Sequence, residues 1–249
     1  MKNVKTIYEP DLSELSLSAV KAFFGALKEL SDLKEKIVVS LPGGRSVRSF
    51  FSVIAEKSDL LPRPVWTKVH LFWTDERLVS PEANGSNYGL AEELFLKKLR
   101  SENRIEEDQI HRFPGEKTNV SEALIKYRNE LRKISGGIVH LPVLGVGSDG
   151  HVGSLFPDRS ELSGDEREFL LVQDSPKPPK KRITISPSVI RKSFYPFLFF
   201  LGEEKREAYE CFNNSARDYV DCPCKLALSG DRGTCFVITD MRLAPDRSP

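Results

Sequence analysis

The chain has 249 residues, of which 37 are basic and 36 acidic, and its formal net charge is +1. A balance this close to neutral gives no general attraction to nucleic acid or to anionic membranes, so we expect neither as a partner. No apolar run approaches the roughly 20 residues of a membrane span, and residues 1–10 lack the apolar region of a secretory signal, so we expect a cytoplasmic protein.

Helix and strand patterns alternate along the first part of the chain. Apolar residues recur at helical spacing from Leu15 to Leu30 and predict an amphipathic helix. Residues 36–41 read as a buried strand, which the Pro-Gly-Gly sequence at 42–44 ends in a turn. We predict that Ser46 is the N-cap of a second helix, whose inner face lies within residues 47–54.

The alternation continues to the end of the chain. Helices are predicted at 88–95 and 120–134, and strands at 69–73, 140–146, 182–186, 197–201 and 235–239. This order indicates an α/β fold in which a mainly parallel sheet is covered by helices on both faces, and we expect residues 1–249 to form a single domain. Ligands bind beyond the carboxyl ends of the strands in such sheets, which directs attention to the loops after residues 41, 73 and 146.

The first of these loops, residues 42–46, suits a phosphate. Gly43 and Gly44 let the backbone approach a ligand closely, Arg45 and Ser46 add donors, and the following helix offers N-terminal amides to an anion. The spacing is not that of a P-loop. Taken alone, the loop is better explained as a glycine turn with a capping serine.

The second loop places Asp75, Glu76 and Arg77 directly after a buried strand. Three consecutive charges at that point need partners or water. One interpretation is a carboxylate that positions substrate hydroxyls and an arginine that meets an anion. A solvated turn with a structural ion pair explains the same residues equally well.

The third loop, residues 145–157, is the most informative. Asp149 and His151 flank Gly150 among further glycines, directly after a strand. A histidine near its usual pKa of about 6.5 can take a proton from water at neutral pH, so we interpret His151 as functional. The other histidines (His70, His111 and His140) have no such setting, the G-x-S-x-G elbow of serine hydrolases is absent, and local ligands for a metal are lacking.

Two groups of basic residues and four cysteines lie in the last third of the chain. Residues 177–182 form a proline-containing basic segment that ends in Arg182, and Lys205 lies at a strand-to-helix junction; either could reach a phosphate, although solvated positions explain both. The cysteines, all near the end of the chain, are Cys211, Cys222, Cys224 and Cys235. Their spacing does not favour a zinc site, and we interpret them as free structural thiols.

In combination these motifs resemble the 6-phosphogluconolactonase family. The sequence Gly-Val-Gly-Ser-Asp-Gly-His-Val-Gly-Ser-Leu-Phe-Pro at 145–157 closely resembles the family signature, and 73–77 with 86–88 resemble a second conserved block. Gly43-Gly44, Arg182-Ile-Thr184 and Gly202-Glu-Glu-Lys205 are similar to further blocks, in the same order. The resemblance runs from about residue 37 to residue 240.

The resemblance implies a fold like that of glucosamine-6-phosphate deaminase and ribose-5-phosphate isomerase. It implies hydrolysis of 6-phospho-D-glucono-1,5-lactone in the pentose phosphate pathway, with a small sugar-phosphate lactone as the partner and neither metal nor cofactor. His151 would activate water, and Asp149 would orient the imidazole or hold a sugar hydroxyl. Arg77 or backbone amides of the glycine loop would stabilise the oxyanion, and Asp75 would complete the catalytic group. The phosphate would bind to Gly43, Gly44, Arg45, Ser46, Arg182 and Lys205. We expect a monomer or a small homo-oligomer.

Two alternatives stay open. Glucosamine-6-phosphate deaminase belongs to the same superfamily, but the Ser-Leu-Phe-Pro at 154–157 and the arginine at 77 are typical of the lactonase branch. A non-catalytic sugar-phosphate sensor is the other, and a helix-turn-helix segment of the kind that accompanies such sensors is lacking. The first block departs from the family, because Pro42 and Arg45-Ser46-Val47 replace its usual hydroxyl-bearing residues.

Overall fold

A parallel sheet of six strands organises the computed structural model, which describes residues 2–163 and 167–242. The strands are β1 (Asn3–Tyr8), β2 (Ile37–Leu41), β3 (Val69–Trp73), β4 (Asp75–Arg77), β5 (Leu141–Gly145), β6 (Phe169–Val172), β7 (Arg182–Ile185), β8 (Phe197–Phe200) and β9 (Thr234–Thr239). The helices are α1 (Leu12–Leu33), α2 (Arg48–Glu56), α3 (Arg63–Trp66), α4 (Asn87–Ala91), α5 (Lys97–Ser101), α6 (Val120–Ser135), α7 (Pro187–Lys192) and α8 (Arg206–Asn213). The parallel sheet has the order β1-β9-β8-β5-β2-β3, and β4-β7-β6 form a second, antiparallel sheet.

The two faces of the parallel sheet bury two different apolar clusters. Side chains alternate along a strand, so Val39 of β2 packs with the buried faces of α1 and α2 while Val38 packs with that of α6. Both residues are fully buried. Strands buried on both faces read as continuous apolar runs, and this confirms the predicted α/β sheet covered on both faces.

Helix α1 shows why the periodic segments were predictable. Asp11 caps it by accepting hydrogen bonds from the amides of Ser13 and Glu14, both at 2.9 Å. Its buried face runs from Leu15 to Leu30, as the apolar spacing predicts. The helix ends where Lys34 adopts an extended backbone.

Two local predictions were wrong. Ser46 does not cap a helix, because residues 45–47 form a 3₁₀ turn that follows Gly44 at a φ of 94°, and α2 begins only at Arg48. Residues 75–77 are not a loop but strand β4, which pairs with β7 across more than a hundred residues of sequence. Such a pairing leaves no periodic pattern in a three-residue strand.

Thr74 joins the two sheets. Its amide donates to the carbonyl of Leu41 at 2.8 Å, its hydroxyl donates to that of Val143 at 3.0 Å, and its own carbonyl accepts from the amide of Ile185 at 2.7 Å. The chain is therefore fixed where it leaves β3 and enters β4. Among the described residues, we find no helix with the length and apolar character needed to cross a membrane.

Candidate active site

One cavity of about 650 Å³ lies at the carboxyl edge of the parallel sheet. Residues that follow all six strands line it, as expected for ligand sites in parallel α/β sheets. The lining includes nine of the ten predicted site residues: Gly43, Gly44, Arg45, Ser46, Asp75, Arg77, His151, Arg182 and Lys205. The tenth, Asp149, contacts His151 directly.

Among the described residues, the His151 ring has a hydrogen-bond partner only at Nδ1. Its Nδ1 donates a hydrogen bond to Oδ1 of Asp149, and its ring packs on Phe156 with centroids 4.5 Å apart. This interaction assigns the proton to Nδ1 and leaves the lone pair on Nε2 to accept another. His151 is mostly buried yet lines the cavity, so its free nitrogen is available to a ligand there.

The carboxyl of Asp149 is kept ionised by its surroundings. Partial burial opposes ionisation, but the hydrogen bond and charge of His151, with the charge of Lys177, hold the pKa of Asp149 below its usual range. A carboxylate in that state is a permanent acceptor for Nδ1. Asp149 can therefore fix the orientation of the ring and stabilise its protonated form.

Glycines shape the loop that carries this pair. The amide of Gly147 donates to the carbonyl of His151 at 2.8 Å, and the amide of Gly150 donates to that of Gly147 at 3.1 Å, which closes a tight turn. A Cβ on Gly147 would overlap the His151 ring and lie 2.6 Å from Oδ1 of Asp149. Gly150 has a φ of 81°, a left-handed conformation that disfavours other residues.

Asp75 is a buried carboxylate with fixed partners. Its Oδ2 accepts a hydrogen bond from the hydroxyl of Ser154 at 2.8 Å, and its Oδ1 accepts one from Nδ2 of Asn87 at 3.0 Å. Nη1 of Arg182 lies 3.8 Å from Oδ2. Asp75 thus connects β4, the histidine loop and β7 at the cavity wall.

Glu76, in contrast, serves the framework. Its carboxylate accepts hydrogen bonds from the amides of Arg77, Asn87 and Tyr88, each at 2.8 Å, and so caps the start of α4. Burial raises its pKa while these amides oppose the rise. The charged side chain of Glu76 therefore stabilises the local fold and does not face the cavity as a ligand group.

Two arginines flank Asp75, and both are oriented by backbone carbonyls. Arg182 is 4% exposed and donates to the carbonyls of Pro179 at 2.9 Å and Lys177 at 2.8 Å. Arg77 donates through Nη1 to the carbonyl of Gly85. Within the described part of the chain, the buried Nε of Arg77 has no hydrogen-bond partner. A buried donor without a partner needs an explanation, such as a bound water or a catalytic role.

A second group of cations surrounds Lys205. Burial lowers the pKa of Lys205, and the nearby charge of Lys177 lowers it further. The charge of Arg45, which is mostly exposed, also lowers the pKa of Lys205. Nη2 of Arg45 forms a salt bridge with Oε1 of Glu204 at 3.4 Å. Six basic and three acidic side chains line the whole cavity, so it favours an anion.

The sequence missed several lining residues. Lys177 lies in the basic segment 177–182, from which the sequence analysis selected only Arg182 as a site residue. Asn87 lies in the segment 86–88, which was used only as evidence of the family resemblance. Asp240 follows β9, where its carboxylate accepts hydrogen bonds from the amide of Gly202 at 3.0 and 3.1 Å. Its position directly after the strand predicted at residues 235–239 is the signal that could have pointed to Asp240.

The remaining histidines lie away from the cavity lining. Nδ1 of His70 and Nε2 of His111 share a hydrogen bond of 2.9 Å, and burial lowers the pKa of His70 to about 4. Nδ1 of His140 accepts from the amide of Val38 at 3.0 Å, and its pKa is likewise lowered to about 4 by burial. In residues 2–163 and 167–242, no cluster of three or more His, Cys, Asp or Glu side chains is arranged to hold a metal ion.

Comparison with known proteins agrees with this architecture. The chain is 31% identical over 204 residues to a 6-phosphogluconolactonase of Borreliella burgdorferi, covering 82% of this chain and 84% of that protein. It is 28% identical to a 6-phosphogluconolactonase of Mycobacterium bovis, covering 92% and 93% of the two chains. The crystal structure of 6-phosphogluconolactonase from Thermotoga maritima shares the fold with a TM-score of 0.77, at 22% identity, over 95% of this chain and 99% of that one. A sequence model for glucosamine-6-phosphate isomerases and 6-phosphogluconolactonases matches residues 10–236, and the chain belongs to that family.

Proposed function

We propose that this protein is a 6-phosphogluconolactonase, which hydrolyses 6-phospho-D-glucono-1,5-lactone to 6-phosphogluconate in the pentose phosphate pathway. The observation that carries the proposal is the His151–Asp149 pair in a cavity rich in cationic side chains. Curated relatives named 6-phosphogluconolactonase, at about 30% identity over most of the chain, support it. We expect the protein to act in the cytoplasm as a monomer or small homo-oligomer, without a nucleic-acid partner.

His151 acts as the general base in the proposed reaction. A lactone is an activated ester, so the site needs a positioned water, a base and a donor for the oxyanion. Nε2 of His151 removes a proton from the water as its oxygen attacks the lactone carbonyl carbon. Asp149 keeps Nδ1 protonated and stabilises the imidazolium that forms. The imidazolium then returns its proton to the ring oxygen that leaves.

Arg77 is our candidate for stabilising the oxyanion. The amides of Gly147 and Gly150 already donate within their own turn, which argues against them as the oxyanion donors. Arg77 keeps a buried Nε without a partner among the described residues. Preorganised donors of this kind act where negative charge develops in the transition state. Asp75, fixed by Ser154 and Asn87, would hold the Arg182 guanidinium and accept a sugar hydroxyl.

The phosphate binds at the far end of the cavity in our proposal. Gly43, Gly44, Arg45 and Ser46 would contact it from the first loop, together with Arg182 and Lys205. We add Lys177, because it lines the same cavity and its charge acts on both Lys205 and Asp149. A dianion anchored there supplies binding energy that places the carbonyl carbon near His151.

The test is lactone hydrolysis in a chelator-containing buffer. Acid release from freshly prepared 6-phosphogluconolactone should exceed the spontaneous rate and fall to it with His151→Ala. No acceleration, together with ammonia release from glucosamine 6-phosphate, would assign the protein to the other activity of its family. Binding of both sugar phosphates without turnover would instead indicate a sensor.

A further inference from the structure

Lys205 reaches the cavity from a turn that the end of β9 holds at two points. Strands β8 and β9 are parallel neighbours, so the segments that follow them leave the sheet side by side. Oδ1 and Oδ2 of Asp240 both accept the amide of Gly202, at 3.1 and 3.0 Å. Nη1 of Arg206 donates to the carbonyl of Arg242 at 3.3 Å. Lys205 therefore lies between two attachments to the segment after β9.

The turn that leads from Gly202 to Lys205 is tightly closed. Residues 203–205 form a 3₁₀ turn, in which the amide of Lys205 donates to the carbonyl of Gly202 at 2.9 Å. Gly202 has a φ of 86°, which glycine adopts readily, and a Cβ there would lie 2.4 Å from Oε2 of Glu204. Displacement of the Gly202 amide would therefore displace Lys205 as well.

Asp240 is itself held in place. The hydroxyl of Thr239 accepts a hydrogen bond from the amide of Met241 at 3.1 Å, which bends the chain at Asp240, and both of these neighbours are buried. Asp240 lines the cavity. A carboxylate in a cavity that binds a phosphate repels that phosphate. The amide of Gly202, which uses both carboxylate oxygens, explains why an acidic side chain lies there.

We propose that Asp240 is a positioning residue of the phosphate site: by holding the Gly202 amide, it fixes the turn that presents Lys205 to the phosphate of the substrate. The inference rests on the proposed function, in which Lys205 binds that phosphate. Asp240 acts through Lys205 and makes no contact with the substrate. Its removal lets the turn relax, moves the Lys205 ammonium away from the phosphate and weakens binding, while the reacting groups around His151 stay in place.

The experiment is a double-mutant cycle on the binding of 6-phosphogluconate, measured by titration calorimetry with the full-length protein. Asp240→Ala should raise Kd about tenfold, the factor that one charge-assisted hydrogen bond to the phosphate contributes. Lys205→Ala should raise Kd by at least as much, and Asp240→Ala should add nothing in that background. Asp32→Ala, which removes an exposed carboxylate of α1 outside the cavity lining, should bind like the parent protein.

Asp240→Asn separates the hydrogen bond from the charge. Its side-chain oxygen still accepts the Gly202 amide while the negative charge is gone, so Kd should stay within a few-fold of the parent value. This variant tests the proposal even if the thermal unfolding midpoint shows that Asp240→Ala does not fold. In lactone turnover, Asp240→Ala should raise KM about tenfold and leave kcat within a few-fold of the parent value.

Three outcomes would overturn the positioning role. The first is an equal rise of Kd on Asp240→Ala in the parent and Lys205→Ala backgrounds, because Asp240 would then act independently of Lys205. The second is a tenfold weakening by Asp240→Asn, which would assign the effect to charge. The third is a loss confined to kcat. A parent protein that binds 6-phosphogluconate but hydrolyses no lactone refutes the proposed function instead, and the binding cycle still tests the role of Asp240.

Discussion

The hydroxyl of Ser154 donates a hydrogen bond to Oδ2 of Asp75 at 2.8 Å and thereby ties the histidine loop to strand β4. Both residues are buried. The donor comes from the loop after β5 and the acceptor from the strand after β3, so one contact sets the distance between the two halves of the site. Several consequences of this arrangement are measurable.

Ser154→Ala should destabilise the protein by about 1–3 kcal/mol, because it leaves a buried carboxylate oxygen short of a donor. Urea unfolding followed by circular dichroism measures the change. Ser31→Ala is the matched control: its hydroxyl donates to the Lys28 carbonyl on the exposed face of α1, and we expect a change within about 0.5 kcal/mol. Equal effects of the two substitutions would contradict the role given to the Ser154–Asp75 contact.

His151→Ala should lower kcat by about 10²–10⁴-fold and leave KM within a few-fold of the parent value, since a general base acts in the transition state and not in binding. Steady-state kinetics on fresh lactone separates the two constants. The thermal unfolding midpoint serves as the folding control. A change confined to KM would remove His151 from the role of base.

Gly147→Ala should inactivate the enzyme although it removes no charged group. The added methyl would occupy the space of the His151 ring, and displacement of the ring by about 1 Å lowers turnover by up to a hundredfold. Gly25→Ala provides the comparison, because no atom lies within 4 Å of the new Cβ in α1. Alanine there should stabilise the helix by about 0.5–1 kcal/mol and leave turnover unchanged. Full activity of Gly147→Ala would show that the ring is placed differently.

Arg182→Ala should raise KM by about ten- to a hundredfold through loss of a charge-assisted contact worth about 1.5–3 kcal/mol. It should also lower the thermal midpoint, because Asp75 loses its nearest cation. Arg132→Ala removes an arginine of similar reach that pairs with Glu168 on the surface, and we expect no change in KM. An unaltered KM in Arg182→Ala would place the phosphate elsewhere.

The pH dependence of product binding tests the proposed roles of Lys205 and Lys177. Lys205 has a lowered pKa, so it loses its charge at lower pH than an ordinary lysine, and the affinity for 6-phosphogluconate should fall as the pH rises through that value. Lys177→Gln should weaken binding at neutral pH, and it should move the fall to higher pH because removal of the neighbouring charge raises the pKa of Lys205.

Calorimetric titrations from neutral pH to about pH 10, near the usual lysine pKa, measure this dependence. Lys180→Gln is the control on the same segment, since Lys180 pairs with Asp174 and lies outside the cavity lining. If the pH profile of Lys177→Gln were identical to that of the parent protein, the charge of Lys177 would have no effect on the pKa of Lys205.

Sequence patterns predicted the parallel sheet, and nine of the ten residues predicted for the site line the cavity. Long apolar periodicities located α1 and α6, and glycine-rich turns after strands located Gly43 and the His151 loop. What escaped depends on distant partners: β4 exists because β7 pairs with it, and Asp240 reaches the cavity because β9 inserts beside β8. Short edge strands such as β1, whose side chains are largely exposed, leave no apolar pattern to detect.

The position of β9 also governs the order in which the molecule is completed during synthesis. In the parallel sheet, β1 neighbours β9 alone, so among the described strands the earliest in the chain pairs with the latest. The cavity likewise takes residues from Leu12 to Asp240. A nascent chain that lacks β9 therefore has an unpaired first strand and an open site, and proteins truncated before residue 234 should accumulate as inactive, protease-sensitive fragments.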